Sequence, residues 1–454
     1  MRIVNVKDCG EREIERLLKK AAFDEVELSP AIRESNKKLF GADLTAEEVV
    51  AKIVGDVRRE GDAAVIRYTS LLDRTELTPE NFVVSEAEFE EAEKLVDKEV
   101  MVSLRKAIDN VRRYHEEQKP KTWMTYREEG SLLGQSVLPL DRVGLYVPGG
   151  TAAYPSTVLM DAIPAKIAGV GETVMVTPPS KNGGVNRFIL AAASVAGVDR
   201  IFKVGGAQAI AAMAYGTETV PKVDKVFGPG NAFVTEAKRQ VSTDYKGASI
   251  DMPAGPSEVM VMADNTSDPE FVASDLLSQA EHGPDSQVML ITESRELADA
   301  VNKEVDRQVA ELPRRKIAES SLSHSRVIIA GTPDEACAIA CRYAPEHLIM
   351  QMRDARAYLP KIRNCGSIFI GYYTPESAGD YASGTNHTLP TYGYAKTYSS
   401  LGLTDFMRHY TVQELSKDGV EALKDTIVQM TNAEGLMAHQ RAILTRARKI
   451  EQGN

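Results

Sequence analysis

The sequence predicts an α/β protein in which two series of parallel strands alternate with helices. The first series consists of four short apolar runs that end in glycine or proline before a helical stretch: RVGLYVPGG, ETVMVTPP, DRIFKVGG and KVDKVFGPGN. The second series follows residue 256 and consists of EVMVMAD, SQVMLIT, SRVIIA, EHLIMQ and GSIFIG. Repeated strand–turn–helix units of this kind are typical of a parallel sheet.

Helical patterns precede and follow the two series. From Thr45 to about Glu117, apolar residues recur at i, i+3, i+4 spacing, and Ser85 with Glu88 has the sequence of a capping box. Upstream we predict a short helix from Glu11 to Ala22 and an extended link to residue 30. After about residue 382 we expect no further strands, but a polar loop and one or two long helices that pack across another domain or subunit.

Length, charge and cysteine content exclude several classes of protein. A chain of 454 residues, 43% of them hydrophobic, can bury a large core and is not low-complexity disorder. The net charge of -11 argues against a nucleic-acid or anionic-membrane partner. No apolar run is long enough to span a membrane, and the first residues lack the apolar core of a signal peptide, so we expect a cytoplasmic protein. The 4 cysteines form no CxxC pair, and we interpret Cys337 and Cys341, four residues apart on a predicted helix, as small buried hydrophobes.

Three glycine turns close strands of the first series and open helices. They are Gly149–Gly150, Gly205–Gly206 and the segment Gly228–Asn231. Glycine lets the backbone approach a phosphate, and a helix N-terminus offers free N–H groups, so the turns could bind a dinucleotide. No GxGxxG motif is present, and simple tight turns explain the pattern equally well.

Gln279 and His282 lie three residues apart at the end of a helix that we predict from about Pro269 to His282. This spacing places both side chains on one face, where they could point into a cleft. Alternatively, His282 caps the helix by binding its last carbonyl groups.

Glu346 and His347 follow Pro345 at the head of a predicted strand. A carboxylate and an imidazole at a strand end could share acid–base work, and a histidine with an ordinary pKa suits neutral pH. A solvated glutamate beside a packed histidine is an equally good interpretation.

Two pairs of polar residues lie in the last part of the chain. Asp380 and His387 occupy a Gly- and Ser-rich stretch that is too polar to form core, and such loops often carry function. Glu434 and His439 lie in the predicted C-terminal helix, where a separation of five residues corresponds to about 140°, so a solvated surface is the simpler interpretation.

Gln279, His282, Asp380 and His439 could together supply nitrogen and oxygen ligands to a metal ion. Their separation in sequence says nothing about their distance, and no HExxH motif is present. The residues alone therefore leave a metal site open.

Long segments of the chain resemble the histidinol dehydrogenase family, from about residue 25 to about residue 445. The matching segments include VGLYVPGGTAAYPSTVLM, VGGAQAIAAMAYGTE, KVFGPGNAFVTEAKRQV, IDMPAGPSEVMVMAD, SDLLSQAEHGPDSQ, YAPEHLI, SAGDYASGTNHTLPTYGYAKTYSSLGLTDF and AEGLMAH. The resemblance implies oxidation of L-histidinol to L-histidine through bound histidinal, the last step of histidine biosynthesis, with zinc and two NAD+.

The resemblance also implies the site residues. The implied zinc ligands are Gln279, His282, Asp380 and His439, and the implied acid–base residues are Glu346 and His347. The implied substrate contacts are Ser257, Gln279, His282, His347, Asp380, His387, Glu434 and His439. The implied nucleotide contacts are Tyr146, Gln208 and Asn231.

The fold that the resemblance implies has two incomplete Rossmann-like domains, one inserted in the other, with N- and C-terminal extensions that cross a homodimer. In this chain the expected parts are an extension at 1–25, a discontinuous zinc-binding and catalytic domain at 26–142 and 257–381, an inserted NAD-binding domain at 143–256, and a loop and helical tail at 382–454. Glu434 and His439 would then complete the active site of the partner.

Two other functions stay open. The first is a related zinc- and NAD-dependent dehydrogenase that acts on another amino alcohol or on a diol. The second is a zinc hydrolase in which Glu346 activates water and no hydride acceptor takes part. The strand–glycine–helix units argue against the hydrolase, and a non-catalytic binding module explains even less of the polar pattern.

Overall fold

The chain forms two compact units in a computed structural model that describes residues 1–20, 30–149 and 153–453. The first unit comprises residues 1–117 and 140–406, and the second comprises residues 118–139 and 407–454. The extended link predicted before residue 30 lies in 21–29, outside the described residues.

The strands are β1 (Arg2–Asn5), β2 (Trp123–Tyr126), β3 (Ser131–Pro139), β4 (Arg142–Tyr146), β5 (Glu172–Val176), β6 (Arg200–Phe202), β7 (Lys225–Phe227), β8 (Ser249–Ile250), β9 (Glu258–Ala263), β10 (Gln287–Thr292), β11 (Arg326–Ile329), β12 (His347–Gln351), β13 (Ser367–Ile370) and β14 (Met407–Leu415).

The helices are α1 (Glu11–Leu18), α2 (Pro30–Phe40), α3 (Ala46–Glu60), α4 (Asp62–Asp73), α5 (Glu86–Leu95), α6 (Lys98–Glu116), α7 (Pro155–Ala168), α8 (Arg187–Ala196), α9 (Gly206–Tyr215), α10 (Ala232–Thr243), α11 (Pro269–Ala280), α12 (Arg295–Val309), α13 (Arg315–Ser323), α14 (Pro333–Tyr343), α15 (Ala355–Tyr358), α16 (Glu376–Tyr381), α17 (Lys417–Glu434) and α18 (Met437–Glu451).

A five-stranded parallel sheet in the first unit has the order β6-β5-β4-β7-β8. Its inner strands are apolar on both faces, and Leu145, Val174 and Val226 are fully buried, as expected for a sheet with helices on both sides. The strand order reverses between β4 and β7, so the carboxyl ends of these two strands form the crevice where such sheets bind ligands. The predicted first series of strands is confirmed.

A six-stranded parallel sheet in the same unit has the order β1-β11-β10-β9-β12-β13. It contains the whole predicted second series, and residues of β9 and β12 such as Val261 and Ile349 have no exposed surface. The sequence analysis missed its edge strand β1, because four residues carry little periodicity and their partner β11 lies more than 300 residues away.

The second unit contains a three-stranded antiparallel sheet with the order β14-β3-β2, together with α17 and α18. The prediction that strands stop after residue 382 is therefore wrong. Strand β14 pairs along its whole length with β3, yet most of its residues are exposed, so it lacks the apolar run by which the other strands are recognised.

Helix boundaries agree with the sequence where local signals exist. Thr45 and Ser85 both close capping boxes, with Glu48 and Glu88, at the starts of α3 and α5. Other boundaries differ: α1 ends at Leu18, before the predicted end at Ala22, and α17 ends at Glu434 before α18 begins at Met437. Gly435 and Leu436 separate α17 from α18, and Gly435 has φ 71°, a left-handed conformation that ends helices and favours glycine. Among the described residues, none of the helices is both long and apolar enough to cross a membrane.

Candidate active site

His347 is the first residue of β12 and lies at the centre of a buried polar cluster. Its Nδ1 is 3.2 Å from the backbone oxygen of Glu258, the first residue of β9. Because a carbonyl oxygen only accepts, Nδ1 carries a hydrogen and the ring is held in one orientation. Its Nε2 then faces Asp380, whose Oδ1 lies 3.4 Å away. The imidazole therefore directs Nε2 into the cluster, while Nδ1 is occupied by its contact with the backbone.

Glu346 precedes the strand and is held by the neighbouring strand. Its Oε2 accepts a hydrogen bond of 2.7 Å from the backbone N–H of Glu258 and lies 3.5 Å from Nδ1 of His347. Both side chains are almost completely buried. Both residues stand at the amino ends of their parallel strands, so the cluster occupies the edge of the six-stranded sheet opposite to the edge where α/β proteins usually bind ligands.

Gln279, in the last turn of α11, connects the cluster to a second carboxylate. Its amide nitrogen faces Glu376, at 2.7 Å from Oε1 and 3.1 Å from Oε2, and its amide oxygen accepts from Ser257 Oγ at 3.1 Å. Ser278 Oγ also donates to Glu376 Oε1 at 2.7 Å. Glu376 thereby fixes which end of the Gln279 amide points toward Ser257.

His282 follows the end of α11 and uses one ring nitrogen locally. Its Nδ1 lies 3.1 Å from the backbone oxygen of Ser278, so the predicted helix-capping contact exists. The contact uses Nδ1 and leaves Nε2 outside it. The charge of His282 is close enough to Asp380 to lower the pKa of that carboxyl. The capping and cleft-facing interpretations of His282 are therefore compatible.

His387 joins the cluster to the helix that follows the first glycine turn. Its Nδ1 lies 3.1 Å from the backbone oxygen of Asp380, and its Nε2 lies 3.3 Å from Thr157 Oγ1 in the first turn of α7. Asn386 also donates to the Met160 carbonyl of α7 at 2.7 Å. The polar loop after α16 therefore packs on a helix of the five-stranded sheet, within the first unit.

Burial and neighbouring carboxylates set the protonation of the cluster. Burial alone lowers the pKa of His347, but the charges of Glu346 and Asp380 outweigh it and hold this pKa well above its usual value. For Glu376, burial raises the pKa to about 8. For Asp380, burial opposes ionisation, but the hydrogen bond and charge of His347 lower its pKa.

The predicted metal ligands of the first unit fit a zinc ion in type but not in number. The described residues contain no group of three His, Cys, Asp or Glu side chains that could hold a metal. His282 and Asp380 provide two such ligands, and the oriented amide oxygen of Gln279 provides a third of another type. Nitrogen and oxygen ligands of this kind suit zinc, and a structural or catalytic site requires three or four of them.

The predicted nucleotide contacts surround the carboxyl ends of β4, β6 and β7. The hydroxyl of Tyr146 accepts from the N–H of Gly206 at 3.2 Å, and Gln208, fully buried, approaches Asp73 at 3.4 Å. Asn231 caps α10 by accepting from Phe233 N and Val234 N at 3.0 and 3.1 Å.

Backbone approach at this edge requires glycine. Gly228 has a φ of 110°, and a Cβ at this position would lie 2.1 Å from the backbone oxygen of Tyr146. Only glycine therefore lets the turn after β7 pass so close to the end of β4.

Glu434 and His439 belong to the second unit, where both side chains are exposed. Glu434 ends α17 and His439 lies in α18, so the prediction that one helix carries both is wrong. Their assignment to the substrate and the metal stays a prediction.

The sequence analysis did not assign three charged residues that the structure places in or beside the cluster: Glu258, Glu376 and Lys20. Glu258 had a local signal, because a charged residue directly before a run of five apolar residues in a buried strand needs a partner. Lys20 and Glu376 had none, since their partners are distant in sequence.

Comparisons with known proteins agree over almost the whole chain. A family model described as histidinol dehydrogenase matches residues 38–447. Histidinol dehydrogenase of Aliivibrio fischeri is 51% identical over 429 residues, 94% of each chain, and that of Methanosarcina barkeri is 47% identical over 92% of this chain and 96% of its own. The crystal structure of histidinol dehydrogenase from Elizabethkingia anophelis superposes with a TM-score of 0.91 at 39% identity and covers 99% of both chains. The chain therefore belongs to the histidinol dehydrogenase family, a family of NAD-dependent oxidoreductases.

Proposed function

We propose that this protein oxidises L-histidinol to L-histidine through enclosed L-histidinal, with two NAD+ as hydride acceptors. The observation that carries the proposal is the buried cluster in which Glu346 and His347 stand beside Asp380, while His387 of the same cluster contacts α7 after the first glycine turn. The first unit thus contains both the acid–base groups and the sheet edge at which we propose that the nucleotide binds. Alcohol oxidation needs such an arrangement, because a proton and a hydride leave one substrate together.

His347 is proposed as the base of both oxidation steps. This role requires the neutral imidazole, which a zinc ion bound to Asp380 would favour by neutralising one of the two carboxylates that raise its pKa. In the first step, the alcohol loses its hydroxyl proton to Nε2 and a hydride from carbon to NAD+, which gives the aldehyde. In the second step, the hydrated aldehyde loses a proton and a hydride in the same way, which gives the acid. The fixed Nδ1 contact with Glu258 keeps Nε2 directed at the substrate in both steps.

Glu346 is proposed to activate the water that hydrates the bound aldehyde. Its Oε2 is held by the N–H of Glu258, so the other oxygen of the carboxylate is free of that contact and can accept a water proton. Both carboxylate and imidazole are buried, so bulk solvent does not compete and the reactive aldehyde stays enclosed.

Zinc is proposed to bind Gln279, His282, Asp380 and His439 and to supply a cation that positions the substrate nitrogens. Glu376 fixes the Gln279 amide with its oxygen away from the carboxylate, which is the orientation a metal ligand needs. Ser257 and His387 line the same cluster, and Glu434 is proposed to pair with the substrate ammonium.

NAD+ is proposed to bind at the reversal of strand order between β4 and β7. Tyr146, Gln208 and Asn231 lie at this edge, where the glycine after β7 lets the turn pass close to the end of β4. On this basis residues 143–256 form an inserted Rossmann-like domain, and residues 26–142 with 257–381 form the catalytic domain. The extension at 1–25, the tail at 382–454 and a cytoplasmic location stay predictions.

A homodimer is proposed to complete the site, because the second unit exposes many large apolar side chains. They are Trp123, Met124, Tyr126, Tyr410, Leu415, Met430, Leu436, Met437 and Leu444. Exposed apolar surface of this extent is typical of an interface, and a second copy of the chain would cover it. In such a dimer, Glu434 and His439 would reach the site of the partner.

Product analysis with a substrate panel tests the proposed function. Purified zinc-loaded protein is incubated with NAD+ and either L-histidinol or amino alcohols and diols that lack the imidazole. We expect L-histidine from L-histidinol and much slower NADH formation from the panel. Faster oxidation of a panel compound would favour the related dehydrogenase, and hydrolysis without NAD+ binding would favour the zinc hydrolase.

His439→Ala is expected to weaken zinc binding. Loss of groups that only orient ligands lowers metal affinity about 10- to 100-fold, so loss of a ligand should lower it at least as much. Competition with a chelator of known affinity measures the change. His409→Ala, which removes another exposed histidine of the second unit, is the control and should keep the affinity of the unmodified protein. Equal affinity in both variants would place the fourth ligand elsewhere.

A further inference from the structure

Lys20 follows the first helix and reaches the head of strand β9. Its ammonium lies 2.5 Å from Glu258 Oε2 and 2.9 Å from the backbone oxygen of Ala344, and it lies 4.0 Å from the centre of the Tyr343 ring. The side chains of Lys20 and Glu258 are only 10% and 5% exposed. Removal of two charges from water costs free energy, so the attraction between the two groups and their other contacts must offset that cost.

Glu258 links this ammonium to the catalytic pair. Its N–H donates to Glu346 Oε2 at 2.7 Å, and its backbone oxygen accepts from His347 Nδ1 at 3.2 Å. Its second carboxylate oxygen accepts from Tyr392 N at 3.0 Å. Any shift of the head of β9 therefore moves supports of both Glu346 and His347.

Ala344, whose carbonyl group binds Lys20, begins the segment that leads from α14 to the Glu346–His347 pair. It ends α14 with a φ of 53°, a left-handed conformation that is unfavourable for alanine and must be held by its surroundings. The Lys20 ammonium binds its carbonyl, and two residues later the carbonyl of Glu346 accepts from Ser367 N at 2.9 Å. The connection between α14 and β12 is thus held at both ends.

We propose that Lys20 is a positioning residue for the Glu346–His347 pair. Its ammonium neutralises Glu258 and holds the Ala344 carbonyl, so it fixes both the strand and the turn on which the pair depends. Lys20 acts through these two groups and not by contact with the reacting atoms. The inference rests on the proposed function for its effect on rate, but its effect on the backbone can be measured without substrate.

Lys20→Met removes the charge and keeps an apolar side chain of similar length. We expect kcat to fall about 10- to 100-fold, because small misplacement of catalytic groups has effects of this size. The KM for NAD+ and the zinc content should not change. Lys20→Arg should recover most of the lost kcat, since it keeps the charge. Lys19→Met, at the exposed neighbouring lysine, is the control and should keep the kcat of the unmodified protein.

Hydrogen exchange measures the same effect without substrate. In Lys20→Met we expect faster exchange in peptides that contain the heads of β9 and β13, whose N–H groups bind Glu346. If the proposed function is wrong, no variant will oxidise histidinol, but the difference in hydrogen exchange between Lys20→Met and the unmodified protein will remain. If Lys20→Met does not fold, Lys20→Met with Glu258→Gln removes the unpaired carboxylate, and its kcat should still be lower because nothing holds the Ala344 carbonyl.

Three results would overturn the inference. The first is an unchanged kcat in Lys20→Met or in the double variant. The second is equal loss in Lys20→Met and Lys20→Arg, which would indicate packing and not charge. The third is unchanged hydrogen exchange at the heads of β9 and β13.

Discussion

His347→Asn is expected to lower the rates of both oxidation steps by about 10²- to 10⁴-fold, the range found when a general base is removed. Asparagine can still donate a hydrogen bond toward the Glu258 carbonyl that now holds Nδ1, but it cannot accept a proton from the substrate. The loss should therefore appear in the chemical step and not in folding. Stopped-flow absorbance of NADH, with histidinol and with histidinal as separate substrates, measures the two rates.

His409→Asn provides the control for this variant, since His409 is exposed on β14. Its two rates should equal those of the unmodified protein. Near-normal turnover by His347→Asn would remove His347 as the base. Loss in only one of the two steps would mean that different groups take the proton in the two steps.

Glu346→Gln is expected to lower the aldehyde oxidation rate by about 10²- to 10⁴-fold, with a smaller effect on alcohol oxidation. The glutamine oxygen can keep the 2.7 Å hydrogen bond from the N–H of Glu258, so the turn before β12 should keep its position. The variant loses the negative charge that takes a proton from water. The ratio of the histidinal rate to the histidinol rate is the diagnostic quantity.

Glu319→Gln, on the exposed surface of α13, is the control and should leave this ratio unchanged. Equal damage to both steps in Glu346→Gln would contradict the water-activating role. Such a result would instead assign Glu346 to the support of His347, whose pKa it raises together with Asp380.

The sheets of the first unit could be predicted from sequence because their strands carry local signals. Apolar runs closed by glycine or proline identify buried parallel strands without knowledge of their partners, as in β4 and β7. Strands β3 and β14 lack such runs, since each is stabilised by the other. Most residues of β14 are exposed, and most residues of β3 are only partly buried. The glycine between Glu434 and His439 was a visible helix terminator that the helical pattern around it outweighed.

The residues of the candidate site likewise fall into those that could be predicted from sequence and those that could not. Pairs that are close in sequence, such as Gln279 with His282 and Glu346 with His347, could be proposed from spacing and strand position. The resemblance to the histidinol dehydrogenase family then assigned Asp380 and His387 to the same site. The contact of Lys20 with Glu258 spans 238 residues, and the contact of Gln279 with Glu376 depends on how α16 returns to the head of the sheet. No local pattern predicts such contacts, because they arise only from packing.

The yield of NADH from a limiting amount of L-histidinol tests the central claim most directly. Conversion of an alcohol to an acid removes four electrons, and each NAD+ accepts two as a hydride, so the account predicts about two NADH per L-histidinol. A yield near one would mean that the aldehyde leaves before the second step, which contradicts the enclosed site and the role of Glu346. Formation of no NADH would contradict the proposed function itself.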